Sequence, residues 1–389
     1  MGPIDYWCNA NKLVSVQLVY LLLTTQDQAR GFVVQSDLAQ VPRRKGKCML
    51  AAMGDESKDF MVEDSGPPTD LWVPSEGSME HARFYDDFLP EDCALALRST
   101  FDEKFENPRE GHSNRFVWDW WHVPGQYTLL RTPAERYFGE ELYQEFLHSL
   151  GSFGQEALGC AAVSPPWISM YVDGCEQRLH TDAWHGPWAY VYSLTDWENR
   201  KFSGGETMIL TPNTLDYWRD FSSKEGLEEK SFVTEIEPFF NRLTIFDPRF
   251  PHGVREVKGN KDPLGARIVI HGWFTDPSPF IDGGLDEEVA TTALNECLEP
   301  MYEQLQTIGR AIGVLTVRIT IDGKSGNVKS ALLLSNTLVP DPADFDPNDT
   351  EDTVDAVERV VYEALASAGT FPPAPGGEDT AITVPFIFE

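Results

Sequence analysis

Apolar residues recur at helical spacing over the first part of what reads as folded sequence. In FYDDFLPEDCALALRSTFDEKF a strand ends at Phe84 and Tyr85, and a helix enters through Pro90, Glu91 and Asp92 with Cys93, Leu97 and Phe101 on one face. A second amphipathic helix is predicted over 133–150, where Tyr137, Leu142, Phe146 and Leu150 fall at near-helical intervals. From there to Phe274 the pattern changes to short apolar runs cut by Gly, Pro and Asp, which predicts an all-β sandwich or barrel. Beyond Gly283 and Gly284 it changes again. Asp286 caps a helix predicted to reach Arg310, and then Leu315, Val317, Ile319 and Ile321 alternate with Thr316, Arg318 and Thr320. A DGKSG turn, a strand over 328–334, a helix bearing Val354, Val357, Val361 and Leu365, and a last strand over 382–388 complete a compact α+β unit.

The predicted organisation is therefore mainly β with flanking helices, plus a small C-terminal α+β domain. Its segments are a leader and linker over 1–76, a catalytic-sized domain over 77–284, a linking helix over 285–310 and the α+β domain over 311–389. Charge supports the first division. Residues 1–50 hold six Lys or Arg against three Asp, whereas the whole chain of 389 residues has a net charge of −31. The leader reads as a targeting segment, a disordered tail, or sequence upstream of a start at Met49 or Met53. The overall negative charge argues against nucleic acid as a partner. The apolar run 13–23 is too short to span a bilayer. Six scattered cysteines without a CxxC pair fit a reducing compartment, so a cytoplasmic location is expected.

Candidate chemistry concentrates in YVDGCEQRLHTDAW, where His180 and Asp182 form an H-x-D pair. His252 follows in FDPRFPHGV and Arg267 in ARIVIHGWF. Two imidazoles and one carboxylate on one face of a metal leave positions open, the facial arrangement of non-haem Fe(II) oxygenases. Residues two apart on a strand share a face, so His180 and Asp182 reach one ion while Thr181 turns away. Arg267 offers a planar fork able to bind a carboxylate bidentately.

The order Y-x2-G-x5-H-x-D, Y-S-L-T-D-W, S-G-G-E, D-P-R-F-P-H and R-x5-W, over about residues 82–276, resembles the Fe(II)- and 2-oxoglutarate-dependent dioxygenases, in their prolyl 4-hydroxylase-like branch. The resemblance implies a double-stranded β-helix of jelly-roll or cupin-like form, with Fe(II) held by His180, Asp182 and His252. It also implies 2-oxoglutarate held by Arg267, with Tyr171 and Tyr192 as its hydrogen-bonding tyrosines, O2 as co-reactant and ascorbate as an optional addition. The expected reaction is hydroxylation of a C–H bond with release of succinate and CO2. Asp182 at the third ligand position points to hydroxylation over halogenation. A protein prolyl side chain is the first substrate expectation and a small molecule the second. An inactive barrel serving as an adaptor, or a metal-free cupin-like fold, are the rival classes. The spacing of 15 between His252 and Arg267 is accommodated by a hairpin loop, VKGNKDPLG.

Other polar and aromatic residues have blander readings. His185 is expected in a loop past the strand, and His271 as a satisfied core or face histidine. Trp118, Trp120, Trp121 and Tyr127, with Arg115 and Arg131, line a substrate groove or alternate as core aromatics of a strand. The C-terminal segment 311–389 resembles the C-terminal domain of TonB-like proteins, which implies a β-β-α-β unit able to dock a peptide or protein by strand addition, or else a structural cap.

Overall fold

The computed structural model describes residues 81–107, 109, 117–212, 214, 232–341, 353–366 and 371–389, together with the backbone of two short paired strands, β1 (Leu18–Val19) and β2 (Val33–Val34). The leader and linker expected over 1–76 otherwise lie outside the described residues, as does Arg115.

Twelve strands form one curled antiparallel sheet. They are β3 (Ala82–Tyr85), β4 (Asp119–Val123), β5 (Tyr127–Pro133), β6 (Cys160–Val163), β7 (Trp167–Tyr171), β8 (Glu176–His180), β9 (Trp188–Ser193), β10 (Thr207–Leu210), β11 (Val233–Ile236), β12 (Leu243–Phe246), β13 (His252–Val254) and β14 (Arg267–Pro277). Their order is β11-β10-β13-β8-β5-β7-β14-β9-β12-β3, with β4 on β5 and β6 on β14. The protein is thus mainly β, with a rolled sheet and flanking helices, as its pattern predicts.

The helices cover one outer face of the roll. In α1 (Glu91–Glu106), Cys93, Ala94, Leu97 and Phe101 are buried, while Glu91 and Asp92 in the first turn and Lys104 in the last complement the helix dipole. The single helix expected over 133–150 is two, α2 (Ala134–Tyr137) and α3 (Glu140–Phe153). Phe138 is extended between them and buries its ring, so the chain leaves the helical path before Gly139. Tyr143, Phe146, Leu150 and Phe153 of α3 join one core with Trp188, Tyr190 and Tyr192 of β9 and Ile268, Ile270 and Phe274 of β14. On β14 the alternate residues Arg267, Val269, His271 and Trp273 face into the roll, as period-two geometry requires.

The C-terminal unit is a second, five-stranded sheet. It holds β15 (Phe280–Gly283), β16 (Ala311–Ile321), β17 (Val328–Asn336), β18 (Val339–Pro340) and β19 (Thr380–Phe388), in the order β15-β19-β16-β17 with β18 on β16. Two helices pack on it, α4 (Glu287–Leu305) and α5 (Thr353–Ala366). The sequence β16-β17-α5-β19 reproduces the expected β-β-α-β order. The helix expected to link the units instead belongs to the second: Ala290, Leu294, Leu298 and Met301 of α4 enter its core, and β15 pairs with β19. Asp286 caps α4 by accepting from the Glu288 and Val289 amides.

The two units are packed together. Val314 and Ile387 join the core of the rolled sheet, and the Thr383 hydroxyl donates to Glu156 O at 3.0 Å. Gly159, which ends the turn of π-helix at Gly154–Leu158, has φ +64°, and a Cβ there would lie 2.6 Å from Pro385 Cδ. Gly159→Ala combines a left-handed backbone with overpacking of the interface. It is expected to lower stability by about 1–3 kcal/mol, measured by urea unfolding.

Candidate metal centre and anion pocket

The curl of the sheet brings β8 and β13 side by side, with His180 directly opposite His252. Their rings stand 4.6 Å apart, and Asp182 lies just beyond the end of β8. One ligating atom from each of His180, Asp182 and His252 falls within 4.8 Å of the others. His180 Nε2 is 3.7 Å from Asp182 Oδ1, and His252 Nε2 is 3.6 Å from Asp182 Oδ2. These are distances that an ion between the groups bridges and that direct hydrogen bonds do not reach.

Backbone carbonyls set the tautomers. His180 Nδ1 is 2.8 Å from Arg178 O, and His252 Nδ1 is 3.0 Å from Phe250 O. A carbonyl only accepts, so each Nδ1 carries the proton and each Nε2 lone pair is aimed at Asp182. Burial lowers the pKa of His180, which favours the neutral, ligating form. Burial also acts to raise the Asp182 pKa, but the charge that His252 and His180 carry when protonated, together with the Trp273 indole, outweighs it and holds the carboxyl below its ordinary range, and a cation bound between the three groups acts in the same sense. Trp273 Nε1 donates to Asp182 Oδ2 at 3.0 Å, fixing the carboxylate's rotation. Trp273 itself packs at a tilt against His185, at 4.5 Å between centroids, in the loop where His185 is expected.

The same cleft, about 400 Å³ in volume, is lined by Arg267 and Tyr171. Arg267 is 1% exposed. Its Nε donates to Gly205 O at 2.6 Å and its Nη2 to Thr207 Oγ1 at 3.1 Å, while Nη1 is buried with no hydrogen-bond partner among the described residues. Burial pulls its pKa down, with Tyr171 and Glu206 opposing. A guanidinium stays charged under such conditions, so this one is suited to an anion entering the cleft. Tyr171 places its ring 4.6 Å from the guanidinium carbon and donates its hydroxyl to Gln177 Oε1 at 2.9 Å. Burial pushes its pKa up to about 12, so it is a neutral donor. Three ligand atoms with open lone pairs and a buried cation with an unused N–H fit a metal chelated by a small dianion.

Tyr192 is the site residue that the structure does not bring to the cleft. It lies on the helix-facing side of β9, opposite Ile270 and Leu243, and its hydroxyl donates to Asn241 Oδ1 at 2.9 Å. Asn241 in turn bonds the Leu89 amide and carbonyl, so Tyr192 braces the entry to α1 and does not line the cleft.

The aromatic cluster divides between its two readings. Trp118 packs with Phe101 and Tyr137 under the helices. Trp121 and Tyr127 are stacked at the cleft, and Arg131 lies 3.5 Å from the Trp121 ring centroid and 4.4 Å from that of Trp167. His271 also lines the cleft and bonds Ser169 Oγ through Nε2 at 2.7 Å. Its position, four residues from Arg267 on one strand, was the available signal that it shares the cleft face.

No protein-family model matches this chain, and neither does any curated protein sequence. Among solved structures, the chain is similar to a prolyl hydroxylase from Trichoplax adhaerens in complex with a hypoxia inducible factor oxygen degradation domain peptide fragment. That likeness has 15% identity over 51% of this chain and 84% of the other, with a TM-score of 0.38. A prolyl-4-hydroxylase from Pseudomonas putida matches at 16% identity over 51% of this chain and 93% of the other, with a TM-score of 0.36. A non-haem alpha-ketoglutarate-dependent carbocyclase from nogalamycin biosynthesis matches at 12% over 49% and 78%, with a TM-score of 0.34.

Two outcomes are expected from this geometry. Trp273→Phe removes the indole donor from Asp182 and weakens metal binding by about 10-fold or more, read by titration with Co(II) and its visible absorption. His271, whose pKa is lowered to about 4 by burial and by Arg131 and Arg267, remains neutral in the folded protein where the unfolded chain takes up a proton near pH 6.5. Its contribution to stability is therefore complete above pH 6.5 and is lost as pH falls toward 4, by on the order of 3 kcal/mol. His271→Gln flattens the fall in melting temperature between pH 7 and pH 4.

Proposed function

We propose that this protein is an Fe(II)- and 2-oxoglutarate-dependent dioxygenase that hydroxylates a C–H bond, with a prolyl side chain of a polypeptide as the favoured substrate. The observation that carries the reading is one cleft holding both the His180, Asp182 and His252 ligand set and the buried Nη1 of Arg267, which has no hydrogen-bond partner among the described residues. Fe(II), 2-oxoglutarate and O2 bound there supply the oxidant, with the cosubstrate leaving as succinate and CO2.

The residues of the chain supply binding and aim. His180 and His252 present Nε2 because their Nδ1 protons are engaged by backbone. Asp182 keeps a charged carboxylate whose second oxygen is held by Trp273. Arg267 pairs with the far carboxylate of the cosubstrate, with the Thr207 hydroxyl and the Gly205 carbonyl keeping the guanidinium plane fixed. Val269, Phe246 and Val254 give the cleft an apolar wall.

The substrate reading rests on the mouth of the site. Trp121 is 37% exposed, and Trp184, in the loop after Asp182, is 53% exposed. Partly exposed indoles beside a cleft suit an extended segment whose prolyl ring packs against them. A small-molecule substrate is the alternative within the same chemistry.

Anaerobic titration with Fe(II) and 2-oxoglutarate is expected to produce a visible charge-transfer band, and admission of O2 is expected to yield succinate. His180→Ala abolishes both. Arg267→Ala keeps metal uptake but raises the 2-oxoglutarate concentration needed by about 100-fold, the scale of a lost charge-assisted bidentate contact. Folded wild-type protein that gives neither band nor succinate overturns the catalytic reading in favour of a binding protein.

A further inference from the structure

The turn that leads into His252 is held from the C-terminal unit. Asp247, wholly buried, follows the last residue of β12 and begins this turn. Its Oδ1 accepts from the Arg249 amide at 3.0 Å and from Arg249 Nε at 2.9 Å, and its Oδ2 accepts from Arg249 Nη2 at 2.7 Å. The remaining contact of Oδ2 comes from across the interface, from the Thr337 hydroxyl at 2.9 Å, between β17 and β18. Arg249 crosses in the other direction, donating from Nη1 to the Phe388 carbonyl of β19 at 2.8 Å. Thr337 is itself fixed, since its oxygen accepts from the Val314 amide at 2.8 Å and its own amide donates to Val314 O at 2.9 Å.

The turn so held touches the metal ligands twice. Phe250 O accepts the Nδ1 proton of His252, and Pro248 O faces the Asp182 amide at 3.4 Å. A displacement of residues 247–250 therefore moves the imidazole of one ligand and the backbone of another. Asp247 is also costly to leave partly unsatisfied, because a buried carboxylate deprived of a donor keeps its desolvation penalty.

We propose that the C-terminal unit is a working part of the metal centre, with Thr337 and the Phe388 carbonyl acting through Asp247 and Arg249 to position His252 and Asp182. Asp247, Arg249 and Thr337 are on this view positioning residues. The inference rests on the metal-binding reading of the site, and its test separates the two.

The full chain is titrated with Co(II), whose visible absorption reports both occupancy and ligand geometry, and circular dichroism and thermal unfolding are recorded on each variant. Thr337→Val keeps shape and removes the donor. It is expected to weaken Co(II) binding about 10-fold and to alter the absorption envelope, while Thr337→Ser, which restores the hydroxyl, binds within about twofold of wild type. Arg249→Lys, which keeps the charge but loses the fork, weakens binding similarly and serves if Thr337→Val does not fold. Thr383→Val, which breaks the interface bond to Glu156 O elsewhere, binds Co(II) as wild type does. Equal Co(II) affinity and spectrum in wild type, Thr337→Val and Arg249→Lys overturn the proposal and leave the metal reading intact. Equal weakening by Thr383→Val also overturns it, since the effect is then loss of the interface in general. Wild-type protein that takes up no Co(II), or that binds it unchanged after His180→Ala, overturns the metal reading and the positioning role with it.

Discussion

The register between β8 and β13 is the constraint on which the site depends. His180 pairs with His252, but two residues further along β13, Val254 pairs with Gln177, so β8 carries one extra residue in a bulge. A bulge restores the inward phase on both sides, whereas a one-residue slip without it turns a ligand to the outer face. Gly253 makes this possible, because a side chain there meets the Gln177 carbonyl and the Arg178 backbone. The glycine in the P-H-G run is therefore as much a requirement of the metal site as the histidine before it. Arg178, in the same bulged stretch, gives its carbonyl to the Nδ1 proton of His180, so register and tautomer are fixed by one piece of backbone.

On β14 a different economy operates. Its even-numbered residues, Ile268, Ile270 and Phe274, are the floor of the helix-covered core, and its odd-numbered residues, Arg267, Val269, His271 and Trp273, form a wall of the cleft. The R-x5-W spacing was legible in this respect, since six residues on a strand return to the same face. The parity of β9 was not legible. Trp188, Tyr190 and Tyr192 alternate with Ala189, Val191 and Ser193, so both faces are apolar enough to be buried, and the pattern does not distinguish cleft from core. Pairing decides it. Tyr192 stands across from Ile270 and Leu243, and it faces the helices because they do.

The same limit explains what the sequence showed of the C-terminal unit. Alternation along β16 located the strand, and Val317, Ile319 and Ile321 are the core-facing set. The residues that alternate with them, Thr316 and Arg318, are polar, yet they are 0% and 3% exposed. A polar face is expected outward only when nothing packs on it. Here the sheet lies against the rolled sheet near Gly154–Leu158, where the Thr383 hydroxyl and Pro385 make contact. Partnering between units is a tertiary fact that periodicity within one strand does not encode, and the packing of α4 on the sheet of its own unit, where it was expected to be a linker, is a tertiary fact of the same kind.

Taken together, these features show where rigidity at the site comes from. Arg267 sits on a long strand flanked on both sides and backed by a helix-covered core, so its placement follows from packing. The metal ligands have less behind them. His252 opens a strand of only three residues, Asp182 lies past the end of β8, and Leu179 on the outer face of β8 is 42% exposed. A three-residue strand and a partly exposed one lie at the low end of local stability, where small openings occur most readily. Ligand geometry there depends on directional contacts: two carbonyls on imidazole Nδ1 atoms, an indole on a carboxylate, and a buried Asp247 paired with Arg249 that ties the intervening turn to a neighbouring unit. Hydrogen bonds of that kind hold an angle as well as a distance, and apolar contact at the same positions does not.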